Sequence, residues 1–128
     1  MTDKILICDD AGFVREILRQ ALLELGYNVV GEACDGNEAV VECLRLKPDI
    51  VFLDLVLPLK NGAEAAKDIL AQLPGTIVIA MSTAQEDFLQ ERARQAGCSD
   101  WLAKPFSKSQ LKEMLSRFSN RTLEVQNG

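Results

Sequence analysis

Lys4-Ile5-Leu6-Ile7-Cys8-Asp9-Asp10 and Asp49-Ile50-Val51-Phe52-Leu53-Asp54 are two short apolar runs that each stop on carboxylates. Runs of this length, rich in Ile, Val and Leu, read as strands buried on both faces, as in a parallel sheet. In an open α/β sheet the carboxyl ends of neighbouring strands converge on one crevice. Asp9, Asp10 and Asp54 can therefore meet there, and carboxylate oxygens are the donors a hard divalent cation takes. Working outward, Thr76 to Met81 is a third such run, ending on Ser82-Thr83, and a fourth near Ser99 to Ala103 ends on Lys104-Pro105. Carboxylates, a hydroxyl and an ammonium thus share one rim, a phosphoryl-transfer set without a phosphate-binding loop.

Between these runs lie helical patterns. Val14, Ile17, Leu18, Ala21, Leu22 and Leu25 recur at helical spacing until Gly26; Asn28 to Ala33 reads as a strand; Ala39, Val40, Cys43 and Leu44 line a second helix that ends before Pro48. A loop with Pro58, Asn61 and Gly62 leads to a helix carrying Ala66, Ile69, Leu70 and Leu73. A more polar helix spans Gln85 to Ala96 and stops at Gly97, and a last one, from about Ser107, carries Leu111, Met114, Leu115 and Phe118. Strand and helix alternate five times. That predicts an α/β three-layer sandwich of five strand-helix units, with the parallel strand order 2-1-3-4-5 of the flavodoxin-like fold. Residues 1–119 are expected to form one domain and 120–128 a disordered tail, because periodicity stops after Phe118.

The chain has 128 residues, enough for one core and too few for two domains of ordinary size. No apolar stretch reaches the ~18 residues of a membrane span, and no signal-peptide pattern precedes Lys4, so the expected location is cytoplasmic. A net charge of −5, with a pI near 4.7, argues against direct binding of nucleic acid, which needs a basic surface. Cys8, Cys34, Cys43 and Cys98 form no Cys-x-x-Cys pair and are expected to be buried thiols rather than zinc ligands or disulfides. The sequence contains no histidine, so no imidazole is present to act as base, zinc ligand or phosphate carrier; a phosphoryl group would come from another molecule.

Taken together, Asp9-Asp10, Asp54 with Pro58 and Gly62 beyond it, Ser82, and Lys104-Pro105-Phe106 resemble the receiver domain of bacterial response regulators, over about Lys4 to Phe118. The resemblance implies that Asp54 accepts a phosphoryl group from a histidine kinase or a small acyl phosphate. Asp54 would have to be ionised and exposed to attack phosphorus. The three acids would repel one another unless a cation sat between them, so Mg²⁺ is expected. By resemblance Asp10 and Asp54 hold it directly, Asp9 through water, and the Val56 carbonyl completes the set; one of Asp9 and Asp10 could also cap the first helix. Lys104 would meet the phosphoryl oxygens, and the resemblance implies a cis bond to Pro105, which fixes that turn. Ser82 would bond the new phosphate, and Trp101, where the family usually has Tyr or Phe, would be the rotating switch. Ser82 and Trp101 together would alter the face made by the fourth helix, the fifth strand and the fifth helix, where a target protein binds. A phosphorylation-dependent homodimer through the same face is left open.

The departures from the family pattern have consequences. Leu57 stands where many members have Met, Asn61 replaces a frequent Asp, and Thr83 is bulkier than the usual Ala or Gly beside Ser82. Val56 and Ala84 flank the site and offer no hydrogen bond to an attacking water, which predicts slow self-hydrolysis. The first helix, starting Ala11-Gly12-Phe13-Val14-Arg15, resembles the chemotaxis type, a signalling module that catalyses only its own phosphoryl transfer. The alternatives are the receiver portion of a larger regulator, a haloacid-dehalogenase-like phosphatase using Asp54 as nucleophile, and a flavodoxin-like cofactor carrier. The phosphatase would need an acid where Val56 stands, and the carrier a phosphate loop where Asp9-Asp10 would repel its ligand.

Overall fold

A computed structural model describes residues 3–83 and 87–127, without the side chains of 87 and 119–127. Strands β1 (Lys4–Cys8), β2 (Asn28–Ala33), β3 (Ile50–Asp54), β4 (Ile77–Ser82) and β5 (Asp100–Ala103) form one parallel sheet in the order β2-β1-β3-β4-β5. Helices α1 (Gly12–Glu24), α2 (Gly36–Leu46), α3 (Gly62–Gln72), α4 (Asp87–Ala96) and α5 (Lys108–Asn127) connect and follow them. The expected architecture is therefore present. Gln85, expected to open the fourth helix, lies outside the described residues. The tail expected over 120–128 falls on side chains outside them too, although the α5 backbone runs through it to Asn127. No helix among the described residues is long and apolar enough to cross a membrane.

Side-chain alternation along the strands divides the core in two. Leu6, Cys8, Val51, Leu53 and Val78 pack with Ala39 and Cys43 of α2 and Ala65, Ala66 and Ile69 of α3. Ile5, Ile7, Ile50, Phe52, Ile79 and Met81 pack with Leu18 and Leu22 of α1 and Leu111, Met114 and Leu115 of α5. Both faces of β1 and β3 are thus covered, which explains their continuous apolar runs. Helix α1 stops as its sequence predicts: Gly26 has φ +91°, its N–H donates to the Leu23 carbonyl at 3.0 Å, and the Tyr27 N–H donates to that of Leu22 at 2.9 Å. The thiols are not uniformly buried, a correction to the sequence reading. Cys8 and Cys43 are buried, Cys98 is half-buried, and Cys34, in the loop after β2, is exposed.

The loop after β3 is gripped by glycines. A Cβ on Gly62 would lie 2.2 Å from the Asp54 carbonyl oxygen and 2.6 Å from Leu55 Cα, and one on Gly36 would lie 1.8 Å from the Lys60 carbonyl oxygen. Helices α2 and α3 can therefore press their first turns directly onto the segment that carries Asp54. Asn61 caps α3 by accepting the Glu64 N–H at 2.9 Å, so the residue that replaces the frequent Asp keeps the capping function without the charge. Gly62→Ala is expected to lose about 2–3 kcal/mol of stability by overpacking backbone that cannot give way. Gly75→Ala, with nothing within 4 Å of the added Cβ, should be near neutral. Urea unfolding of the two variants checks this, and equal midpoints would contradict it.

Candidate functional site

The same alternation that splits the core aims the site. Continuing the Ile5, Ile7 series brings Asp9 to the α1/α5 side of the sheet, and the Ile50, Phe52 series brings Asp54 there. Leu102 of β5 also faces that side, and Lys104 follows it. Ser82 and Trp101 have the opposite parity; Trp101 packs with Leu55, Ala80, Leu89, Ala93 and Cys98 beneath α4. The strand ends are level, since Cys8 pairs with Leu53, Asp54 with Met81 and Ser82 with Ala103.

Carboxylate oxygens of Asp9, Asp10 and Asp54 consequently lie within 4.8 Å of one another. Between two of them sits the Lys104 ammonium, 2.8 Å from Asp9 Oδ2 and 3.1 Å from Asp54 Oδ2. The other oxygens are held by backbone: Asp9 Oδ1 accepts the Ala11 N–H at 2.9 Å, and Asp54 Oδ1 accepts the Val56 N–H at 3.0 Å. The peptide bond between Lys104 and Pro105 is cis. The Lys104 N–H donates to the Ser82 carbonyl at 2.9 Å, which ties the lysine to the end of β4.

Two expectations are corrected here. Asp54 is buried rather than exposed, at 5% of its surface, because β3 is the central strand and Lys104 closes over its end. Neither Asp9 nor Asp10 caps α1: the cap position is Ala11, with no side-chain hydrogen bond, because Asp9 bonds two residues ahead in a tight turn instead. Asp9 is fully buried and Asp10 is exposed, so the group has a closed floor and an open edge. Ser82 is buried, Thr83 and the Val56 side chain are exposed, and Ala84 lies outside the described residues.

The charges in this group do not balance. Burial raises the Asp54 pKa, and the nearby Asp9 charge adds to the rise, outweighing the Val56 N–H and Lys104, which lower it. Burial alone would lower that of Lys104, but its hydrogen bonds to both carboxylates and their charges more than offset this and raise it. One shared lysine is thus well compensated while Asp54 is not. Three oxygen-donor side chains with a residual negative charge fit Mg²⁺, and the open Asp10 edge leaves room for water ligands. Cys34, Asp35 and Glu38 form a second compact group of possible donors. Its members are engaged locally, however: Asp35 caps α2 through the Glu38 N–H at 2.7 Å, and Cys34 Sγ donates to Glu38 at 3.6 Å.

The Trp101 ring lies half-buried at the wall of a cleft of about 420 Å³ beside α4, and its indole N–H is buried without a hydrogen-bond partner among the described residues. An unmet buried donor costs about 1–3 kcal/mol, so this seat for the ring is not a fully satisfied one. The sequence reading did not find Arg15, whose Nη1 donates to the Asp9 carbonyl at 2.7 Å. Its position one turn after Ala11, the α1 cap, was the available signal.

Residues 5–116 match the response regulator receiver domain family. The chain is 39% identical over 119 residues to the chemotaxis protein CheY of Thermotoga maritima, covering 93% of this chain and 99% of that protein. It is similar to the receiver domain of the sensor histidine kinase PA1611 of Pseudomonas aeruginosa, solved with a magnesium ion coordinated in its active-site cleft. The TM-score is 0.82 at 32% identity, covering 91% of this chain and 97% of that one. A CheX–CheY–BeF3–Mg complex from Borrelia burgdorferi matches with a TM-score of 0.85 at 28% identity, covering 91% of this chain and 89% of that one. The chain belongs to the response regulator receiver family, signalling modules of two-component systems, and its fold and relatives are CheY-like.

The raised Asp54 pKa has a stability consequence for the metal-free protein. An acid with a higher pKa folded than unfolded stabilises the fold only while protonated; that contribution is complete below the ordinary carboxylate pKa and is lost as pH rises through the raised value. Asp54→Asn should therefore raise the melting temperature in EDTA at neutral pH, and the gap to the parent protein should close as the pH falls through the raised Asp54 value toward the ordinary carboxylate range, Asp54 then carrying its own proton. Calorimetry across that range checks it, and a less stable variant at pH 7 would contradict it.

Proposed function

We propose that this chain takes a phosphoryl group onto Asp54 from a histidine kinase, or from a small acyl phosphate, and relays the change to a target protein on its α4–β5–α5 face. The observation that carries this reading is the Lys104 ammonium bridging Asp9 and Asp54 at the ends of two neighbouring parallel strands. Asp9, Asp10, Asp54 and the Val56 carbonyl would hold Mg²⁺. When bound, the ion would supply positive charge to offset the acids and the incoming phosphoryl group.

The rest follows from this chain's own groups. An oxygen of the Asp54 carboxylate forms a bond to phosphorus as the bond from phosphorus to the donor breaks and the donor leaves with that electron pair. Charge in the transition state is carried mainly by the equatorial oxygens, so a fixed cation beside them is the useful catalyst. Lys104 is that cation, already held at Asp54 by Asp9 and by its own backbone bond to Ser82. An apolar cleft of about 290 Å³, lined by Phe13, Ile17, Pro105 and Phe106, opens beside Lys104 and gives a donor protein a place to rest against.

Once Asp54 is phosphorylated, Ser82 bonds the new oxygens and Trp101 changes its seat. An indole N–H without a partner among the described residues favours that change, because leaving its present position forfeits no hydrogen bond to any of them. The altered surface includes exposed Phe88, with Arg92 stacked 5.8 Å from its ring centroid, and the cleft edged by Trp101. Such a shift needs only that phosphate make contacts in one of two states.

Intact mass after incubation with acetyl phosphate tests the reading. Gain of one phosphoryl group that needs both Mg²⁺ and Asp54 is expected, while Asp54→Asn gains none. Lys104→Ala should slow the gain by about 10²-fold or more. A product formed equally without Mg²⁺ or without Asp54 would refute the assignment. The exposed apolar Val56 side chain beside the site gives an attacking water no hydrogen bond, so slow loss of the phosphate is expected. Val56→Asn should shorten the lifetime severalfold; an unchanged decay rate would exclude this role for Val56.

A further inference from the structure

The carbonyl of Asp9 stands one residue past the end of the β1–β3 ladder, which closes with the Cys8–Leu53 pair. A buried carbonyl there needs a donor from elsewhere. Arg15, in the first turn of α1, supplies it through Nη1 at 2.7 Å. Its Nε donates at 2.8 Å to Glu32 Oε1 on the edge strand β2, and Arg19 Nε lies 3.8 Å from the other Glu32 oxygen. The planar guanidinium is therefore fixed from both sides, as only a fork of parallel donors allows.

Every other polar atom of Asp9 is held as well. Its N–H donates to the Ala33 carbonyl at 3.0 Å, Oδ1 accepts from Ala11 at 2.9 Å and Oδ2 from Lys104 at 2.8 Å. The peptide group gripped by Arg15 is the one that joins Asp9 to Asp10. Arg15 thus holds the peptide plane from which Asp10 continues toward the acidic group.

We propose that Arg15, oriented by Glu32, is a positioning residue for the cation held by Asp9, Asp10 and Asp54, and that its grip favours Mg²⁺ over Ca²⁺. This rests on the reading of those acids as a metal site. Mg²⁺ demands near-ideal octahedral geometry with short bonds, whereas Ca²⁺ accepts longer and irregular coordination. A fixed spacing between Asp9 and Asp10 serves the first ion and matters little to the second. The charge of Arg15 is matched by Glu32, so the pair acts through geometry rather than through its net field.

Isothermal titration of MgCl₂ and CaCl₂ into the parent protein and its variants separates these effects. Arg15→Met combined with Glu32→Gln removes one charge of each sign. It should weaken Mg²⁺ binding about tenfold, the lower end for groups that orient metal ligands, and leave Ca²⁺ within about threefold. Arg15→Lys keeps the charge without the fork and should lose the same selectivity. Glu32→Gln alone should move the ratio in the same direction by less, and it carries the test if the double variant does not fold. An unchanged Mg²⁺/Ca²⁺ ratio, whether both affinities hold or both fall together, overturns the role of Arg15. A parent protein that binds neither ion, or an Asp54→Asn variant that binds both as tightly as the parent, removes the metal-site reading itself and the proposal with it.

Discussion

One ammonium shared between two buried carboxylates is the interaction on which the rest depends. Lys104 reaches Asp9 and Asp54 at once because β1, β3 and β5 deliver their last inward-facing side chains to the same side of the sheet. The lysine is tied down through its own N–H, and the acids through turns that use their outer oxygens. Burying two carboxylates against one cation leaves a deficit of positive charge, and buried charge without full compensation is costly. On the function proposed above, that deficit is what a cation would offset, and after it Lys104 would follow a charged group.

The same arrangement bears on the proposed switch. Asp54 is nearly closed off, so on the proposed reading contact with a phosphoryl group would require Lys104 to exchange a carboxylate partner for phosphate oxygens. That exchange would take place next to Ser82, whose carbonyl receives the Lys104 N–H, and Ser82 lies on the face of the sheet that Trp101 shares. Two side-chain sets of opposite parity, one proposed to carry the chemistry and one the response, are joined at the ends of β4 and β5. An indole with no partner for its N–H among the described residues is a soft point at the far end of that connection.

Most of the fold was legible because its strands are buried on both faces and end abruptly in polar residues, as Ile50 to Asp54 does. The meeting of Asp9, Asp10 and Asp54 followed from the convergence of parallel strand ends. What the sequence did not disclose depends on distances between elements. The burial of Asp54 arises from Lys104, fifty residues further along the chain, folding over it. The grip of Arg15 on Asp9 depends on Glu32, from a different strand, and no local pattern announces such a triangle. The exposure of Cys34 reflects its loop position, which overrides the general preference of thiols for the interior. Asn61 was read for its missing charge, while its capping bond to Glu64 is the visible structural use.

The claim that the acidic group is under-compensated and awaits a divalent cation is tested most directly by thermal unfolding against Mg²⁺ concentration at low ionic strength. A ligand that binds only the folded state raises stability with the logarithm of its concentration, by about 2.7 kcal/mol at a hundred times Kd. The account predicts a melting temperature that climbs steadily with Mg²⁺ in the parent protein and stays nearly flat in Asp54→Asn. A parent protein indifferent to Mg²⁺, or a variant that gains as much as the parent, would contradict it.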